Sequence, residues 1–213
     1  MSLRRLPVYI LLDTSGSMRG EPIQSVNVGL QAMLSALRQD PYALESVHLC
    51  VITFDIEAKE YLPLTPLPDV KLGEISVPDS GATFMGAALE LLLRLVHRDM
   101  RKSTVSQKGD WRPLVVLMTD GAPADTLAFK EAAADVKKYN FGSIIACAAG
   151  PKAKKEHLQL LTDRIVTLDT MDAAAFASFF KWVSASVSVG SSTAGIQGQI
   201  SLPPPPQEVN LVL

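Results

Sequence analysis

Asp13, Ser15 and Ser17 stand at alternate positions in the run Asp13-Thr14-Ser15-Gly16-Ser17 near the N-terminus. On a curving loop this spacing can aim three oxygens at one point, and an all-oxygen set suits a hard divalent cation rather than zinc or copper. The same residues could simply form an Asx or Ser turn that caps a following helix. Two further stretches bear on the choice. Gly81-Ala82-Thr83-Phe84-Met85-Gly86 sets a lone threonine between glycines, where the backbone can approach another group closely, although Thr83 alone could be a plain N-cap. Residues 113–121 then end an apolar run in Asp120-Gly121, repeating the design that ends in Asp13.

These residues need elements to carry them. The five apolar residues 8–12, between Pro7 and Asp13, fit a strand buried on both faces, as at the centre of a parallel sheet. The polar cluster then falls at the strand's carboxyl end, where open α/β sheets bind ligands. If the strands ending in Asp13 and Asp120 are neighbours, at about 4.8 Å spacing, both carboxylates come within reach of one ion. Without a cation the two would repel, and one would tend to hold a proton.

The remaining chain alternates helical and strand patterns. Pro22 opens a helix whose apolar residues Ile23, Val26, Leu30, Met33, Leu34 and Leu37 share one face, ending near Asp40-Pro41. Residues 47–54 read as a second buried strand and 58–62 as a short antiparallel edge strand, with Pro63 and Pro66 blocking further pairing. A loop over 70–80 leads to Thr83, and the helix over 85–101 directs its N-terminal amides at whatever Thr83 approaches. Residues 101–112 form an exposed basic loop. A helix opens at Asp125-Thr126, a strand covers 143–149, a basic turn 151–155, a short helix 156–162, and a last strand 165–168. Asp172 caps a final helix through Phe176, Phe179, Phe180, Trp182 and Val183. From Gly190 the composition turns to Ser, Gly, Thr and Gln and then four prolines, 203–206. That tail is expected to be a flexible linker, with a strap over the body or a ligand for a partner as alternatives. The alternation predicts a doubly wound, mostly parallel α/β sheet with one antiparallel edge.

Composition narrows the function. The 213 residues suit one domain, and 47% hydrophobic residues can fill its core. A net charge of -2 gives no global electrostatic case for nucleic acid or membrane. No signal peptide or stretch of transmembrane length stands out. Cys50 and Cys147 read as buried free thiols in a reducing compartment, which points to the cytoplasm. Phosphate-binding, dinucleotide-binding and nucleophile-elbow motifs are missing. A magnesium-dependent phosphoryl-transfer enzyme of the haloacid-dehalogenase kind is the rival reading, but it needs a second acid where this chain has Ser15.

Asp13-x-Ser15-x-Ser17, then Thr83, then Asp120-Gly121 resembles the five-position metal-ion-dependent adhesion site of von Willebrand factor A domains, over residues 5–188 with 189–213 left as the tail. The resemblance implies six strands ordered 3-2-1-4-5-6, flanked by helices on both faces. It implies that Ser15 and Ser17 ligate magnesium directly, with calcium or manganese as substitutes, that Thr83 does so directly or through water, and that Asp13 and Asp120 act mainly through waters or the serines. A partner's Asp or Glu would fill the open coordination position of a non-enzymatic, metal-dependent protein-binding module. The loop Thr83-Phe84-Met85-Gly86, the turn Thr119-Asp120-Gly121-Ala122-Pro123 and the tail with Leu202 and four prolines are similar, more narrowly, to the tellurite-resistance-associated TerY group of bacteria. That similarity implies a kinase or phosphatase partner in a tellurite-resistance or stress-response system. Some longer relatives of that group carry a cysteine-rich zinc segment after the A domain; this sequence has none, so the similarity implies no zinc function.

Overall fold

Every residue of β1 (Leu6–Asp13) is buried, and successive side chains enter two different cores. In the computed structural model, which describes residues 4–79, 81–193, 203–206 and 209–212, Leu6, Val8, Ile10 and Leu12 face one core while Tyr9 and Leu11 face the other. The first core is closed by α1 (Glu21–Gln39) and α6 (Ala173–Thr193), and the second by α3 (Met85–Asp99) and α4 (Thr126–Lys138). A strand covered on both faces cannot alternate apolar with polar, which explains the unbroken run.

The sheet is ordered β3-β2-β1-β4-β5-β6-β7. Parallel to β1 run β2 (Val47–Phe54), β4 (Leu114–Thr119), β5 (Ser143–Ala149) and β6 (Ile165–Leu168), and β3 (Ala58–Pro66) returns antiparallel to β2. The expected order 3-2-1-4-5-6 holds, with one addition. A seventh strand, β7 (Asn210–Val212), pairs antiparallel with β6, placing Leu211 opposite Val166, so both edges are antiparallel.

The tail, where described, is therefore a strap rather than a free linker. Trp182 Nε1 donates to the Pro203 carbonyl at 2.8 Å, and Val209 is buried in the α1/α6 core. The edge strand also differs from expectation. It continues to Pro66 because register shifts beside Val51 absorb extra residues of β3, Pro63 among them, so the proline breaks no ladder bond. Asp40-Pro41 ends α1 as expected but also starts a further helix, α2 (Pro41–Ser46). Asp40 caps it by accepting from the Tyr42 and Ala43 amides at 2.9 and 3.3 Å. The short helix expected over 156–162 is confined to α5 (Lys155–Leu158). In the basic loop, the Arg4 guanidinium stacks 3.6 Å over Trp111, and Arg5 pairs with the nearly buried Asp110 at 2.6 Å.

Two further features complete the α1 side of the sheet. Residues 70–79 run extended along α1, held by three of its side chains and by Arg19 just before it. Arg38 donates to the Val70 carbonyl, Gln31 to Leu72, Asn27 to Ile75 and Arg19 to Pro78, while the Ile75 amide donates back to Asn27. The second is α6, in which Ala173–Ser192 is long and apolar enough to cross a bilayer, although no stretch of that length stands out in the sequence. Its Phe176, Phe179, Phe180 and Val183 are fully buried, and Gly29 of α1 leaves the space that Phe180 occupies.

Candidate metal centre

Asp13 closes β1, and the β1–β4 register determines what stands beside it. Leu12 lies opposite Met118, so Thr119 is the next neighbour of Asp13 and Asp120 follows at the strand's end. Thr119 Oγ1 donates to Asp13 Oδ2 at 2.6 Å, and the other oxygen, Oδ1, accepts from the Ser15 amide at 2.8 Å. The second bond is an Asx turn that bends the chain back over the strand end. It brings the Ser15 and Ser17 hydroxyls to 3.3 Å, and Ser17 Oγ donates to Asp120 Oδ1 at 2.9 Å. One hydrogen-bonded cluster thus joins Asp13, Ser15, Ser17 and Asp120.

Thr83 arrives from the far side. A Cβ built on Gly121 would lie 3.4 Å from Thr83 Oγ1, which places this hydroxyl against the turn that carries Asp120. The Thr83 carbonyl accepts from the Ala124 amide at 2.8 Å, pinning the two loops together. Its hydroxyl forms no direct bond with the other four residues. All five expected residues therefore sit around one end of the β1–β4 pair, with Thr83 flanking the cluster.

Asp13, Ser15 and Asp120 are buried to within a few per cent and Thr83 nearly so, whereas Ser17 is exposed and opens the cluster to solvent. Burial pushes the Asp13 carboxyl up to about 6, against the pull of hydrogen bonds from Ser15 and Thr119, and the nearby Asp120 charge pushes the same way. Asp120 is raised too, again chiefly by burial, with the Ser17 hydrogen bond and the charge of Lys152 opposing. Neither carboxylate forms an ion pair with a described residue. Two buried acids without a counter-charge are costly, and a cation supplies what they lack. Among the described residues no three His, Cys, Asp or Glu side chains converge to hold a metal, so a cation here would depend on hydroxyls. Three hydroxyls and two carboxylates are hard oxygen donors that fit such an ion.

Several supporting residues carry no local signal in the sequence. Thr119 acts only because the register sets it beside Asp13. Thr14 Oγ1 donates to Asp55 Oδ2 at 3.1 Å, while the Asp55 carbonyl accepts from the Phe84 amide at 2.7 Å, so Asp55 ties the serine loop to the Thr83 loop. The N-terminus of α3 is not offered to a ligand as expected. Its Gly86 and Ala87 amides donate to the carboxylate of Asp125, at 3.1 and 3.0 Å. Asp125 precedes α4 and reads as the cap of its own helix, but its side chain caps the neighbouring one. Gly86 permits this approach, since a Cβ there would lie 2.5 Å from the Phe129 amide nitrogen.

A mostly parallel sheet wrapped on both faces defines a doubly wound α/β domain, and its polar cluster lies at the carboxyl edge of the central strands. The sequence profile of the von Willebrand factor type A domain matches residues 8–178, and the chain belongs to this family. Solved structures agree on the fold. The pilus adhesin SpaC from Lactobacillus rhamnosus GG superposes with a TM-score of 0.70 at 13% identity, covering 89% of this chain and 31% of that one. Proximal thread matrix protein 1 from the mussel byssus gives 0.63 at 16% identity, covering 86% and 46%. Another structure of the mussel protein, at TM-score 0.55 and 16% identity over 85% of this chain and 48% of that one, is described as having a zinc-occupied adhesion-site motif. The chain spans less than half the length of these proteins. No curated protein matches it in sequence.

Proposed function

We propose that the protein is a non-enzymatic module that binds an acidic residue of a protein partner through a divalent cation, magnesium first, with calcium or manganese as substitutes. The observation that carries this reading is the hydrogen-bonded convergence of Asp13, Ser15, Ser17 and Asp120, with Thr83 against Gly121. Ser15, Ser17 and Thr83 would offer their hydroxyls to the ion. Asp13 and Asp120 would orient the serines, as they do now, and balance its charge. A cation held by neutral hydroxyls stays electrophilic and supplies a docking point for a carboxylate. Asp13 fixes the bend at Ser15, Thr119 fixes the Asp13 carboxylate, and the exposed Ser17 marks the side from which a partner reaches the cluster.

Membership of the A-domain family supports an interaction role, and the TerY-like loops and proline tail support a setting in a bacterial tellurite-resistance or stress-response system, in the cytoplasm, with a kinase or phosphatase as partner. Affinity capture from a bacterial lysate tests the reading. A specific partner should be retained in magnesium, released by chelator, and lost with Asp13→Ala under both conditions. Equal capture in all three refutes it.

A further inference from the structure

After β5 the chain turns at Gly150, which has φ 75°, and passes through residues 151–155 at the same carboxyl edge as Asp120. This turn presents Lys152, Lys154 and Lys155, all exposed and none in an ion pair with a described residue. β4 and β5 pair in parallel with Thr119 opposite Ala148, so the turn follows the strand beside the one that ends at Asp120. Beside the turn lies a hollow of about 510 Å³, lined by Ala153, Lys154, Lys155 and Glu156 and by Thr167 near the carboxyl end of β6. Across the cluster, toward β2 and β3, charges are already matched: Arg19 pairs with Asp79 and Lys59 with Glu57. On the β5–β6 side the three lysines of the turn form no such pair with a described residue.

We infer that the partner segment is polyacidic: one carboxylate docks at the cation cluster and further acidic residues cross the lysine turn into the hollow beside Thr167. This rests on the cation-dependent binding proposed above and specifies its partner. From β4, which carries Asp120, to β6, which carries Thr167, is two strand spacings, roughly 10 Å. An extended peptide covers that distance in roughly three residues. The second and third acids thus fall two to four residues from the docking one. Over the turn they meet the exposed ammonium groups of Lys152, Lys154 and Lys155, with Glu156 as the one acid lining the hollow and Asp169 and Asp172 following β6 beyond it. A peptide fits better than nucleic acid, because the chain's net charge of -2 gives a phosphate backbone nothing to follow beyond this turn.

The test is an NMR titration of the full chain with three synthetic peptides in magnesium. One has a single Glu in a Gly-Ser frame, one adds acids two to four residues away, and one places the same acids ten residues away. The near-acid peptide should bind about tenfold more tightly than the other two, a preference built from exposed ion pairs. It should shift the amides of residues 150–156 and lose its advantage in 0.5 M salt. The triple variant Lys152→Ser, Lys154→Ser, Lys155→Ser should bind all three peptides equally and still respond to magnesium. Equal binding of the three peptides by the natural chain, or an unchanged preference in the triple variant, overturns the inference while leaving cation-dependent docking intact. Absence of any magnesium-dependent binding overturns both. A DNA oligonucleotide that competes better than the near-acid peptide overturns the choice of partner.

Discussion

Replacing Asp13 by asparagine should make the ion-free protein more stable and make it indifferent to magnesium. The fully buried carboxyl titrates at about 6 rather than the ordinary 3.8. At 1.36 kcal/mol per pH unit, the charge costs the folded state about 3 kcal/mol at neutral pH. The sign follows from proton binding: between pH 4 and 6 the folded chain keeps a proton that the unfolded chain has lost. Stability from this group is full below pH 4 and declines as pH rises through 6. Asparagine removes the charge and keeps most of the geometry. Its Oδ1 can accept from the Ser15 amide, and its Nδ2 can donate to Thr119 Oγ1, whose own proton then turns to the Gly121 carbonyl 3.5 Å away. Allowing about 1 kcal/mol for that weaker arrangement leaves a net gain of about 2 kcal/mol. For a chain of this size the gain raises Tm by about 4–8 °C. With magnesium at a hundred times its Kd the natural protein gains about 2.7 kcal/mol and the variant little, so the order narrows or reverses. Scanning calorimetry at pH 7.5, with chelator and with a magnesium series, reads both effects, and at pH 4 the advantage should vanish. A variant that melts below the natural protein in chelator, or that gains equally from magnesium, refutes the reasoning.

Asp125→Ala frees the Gly86 and Ala87 amides at the start of α3 and should cost about 1–2 kcal/mol in urea unfolding. The same change should weaken the magnesium-induced rise in Tm, because Thr83 lies two residues before α3. Trp182→Phe removes the bond to the Pro203 carbonyl for about 1 kcal/mol, and limited proteolysis followed by mass spectrometry should show faster cleavage after α6.

The parts of the site legible in the sequence were those written in single runs. Residues 8–12 and 114–118 are apolar because both sheet faces are covered, so the acids that end them stand out. Thr83 stands out through its flanking glycines. Thr119, Asp55 and Asp125 act across 106, 41 and 39 residues of chain, and such contacts depend on register and loop docking. Asp40-Pro41 did hold a visible signal for α2, a cap before a proline, but proline read as a terminator hid it. The short strand β7 has no pattern of its own; the open edge of β6 makes Asn210–Val212 a strand. Pro66 ends β3 because a bulge, invisible to alternation, leaves room for Pro63.

The extended stretch over 70–79 meets α1 through main-chain atoms, gripped by Arg19, Asn27, Gln31 and Arg38. Carbonyls and amides are the same whatever residue bears them, so most side chains here can drift freely over evolutionary time; Val70 and Ile75, which are buried, cannot. Length is another matter. One inserted residue would shift every later grip along the helix and deliver Thr83 to Gly121 out of step, so divergence in this region should be written in letters rather than in spacing.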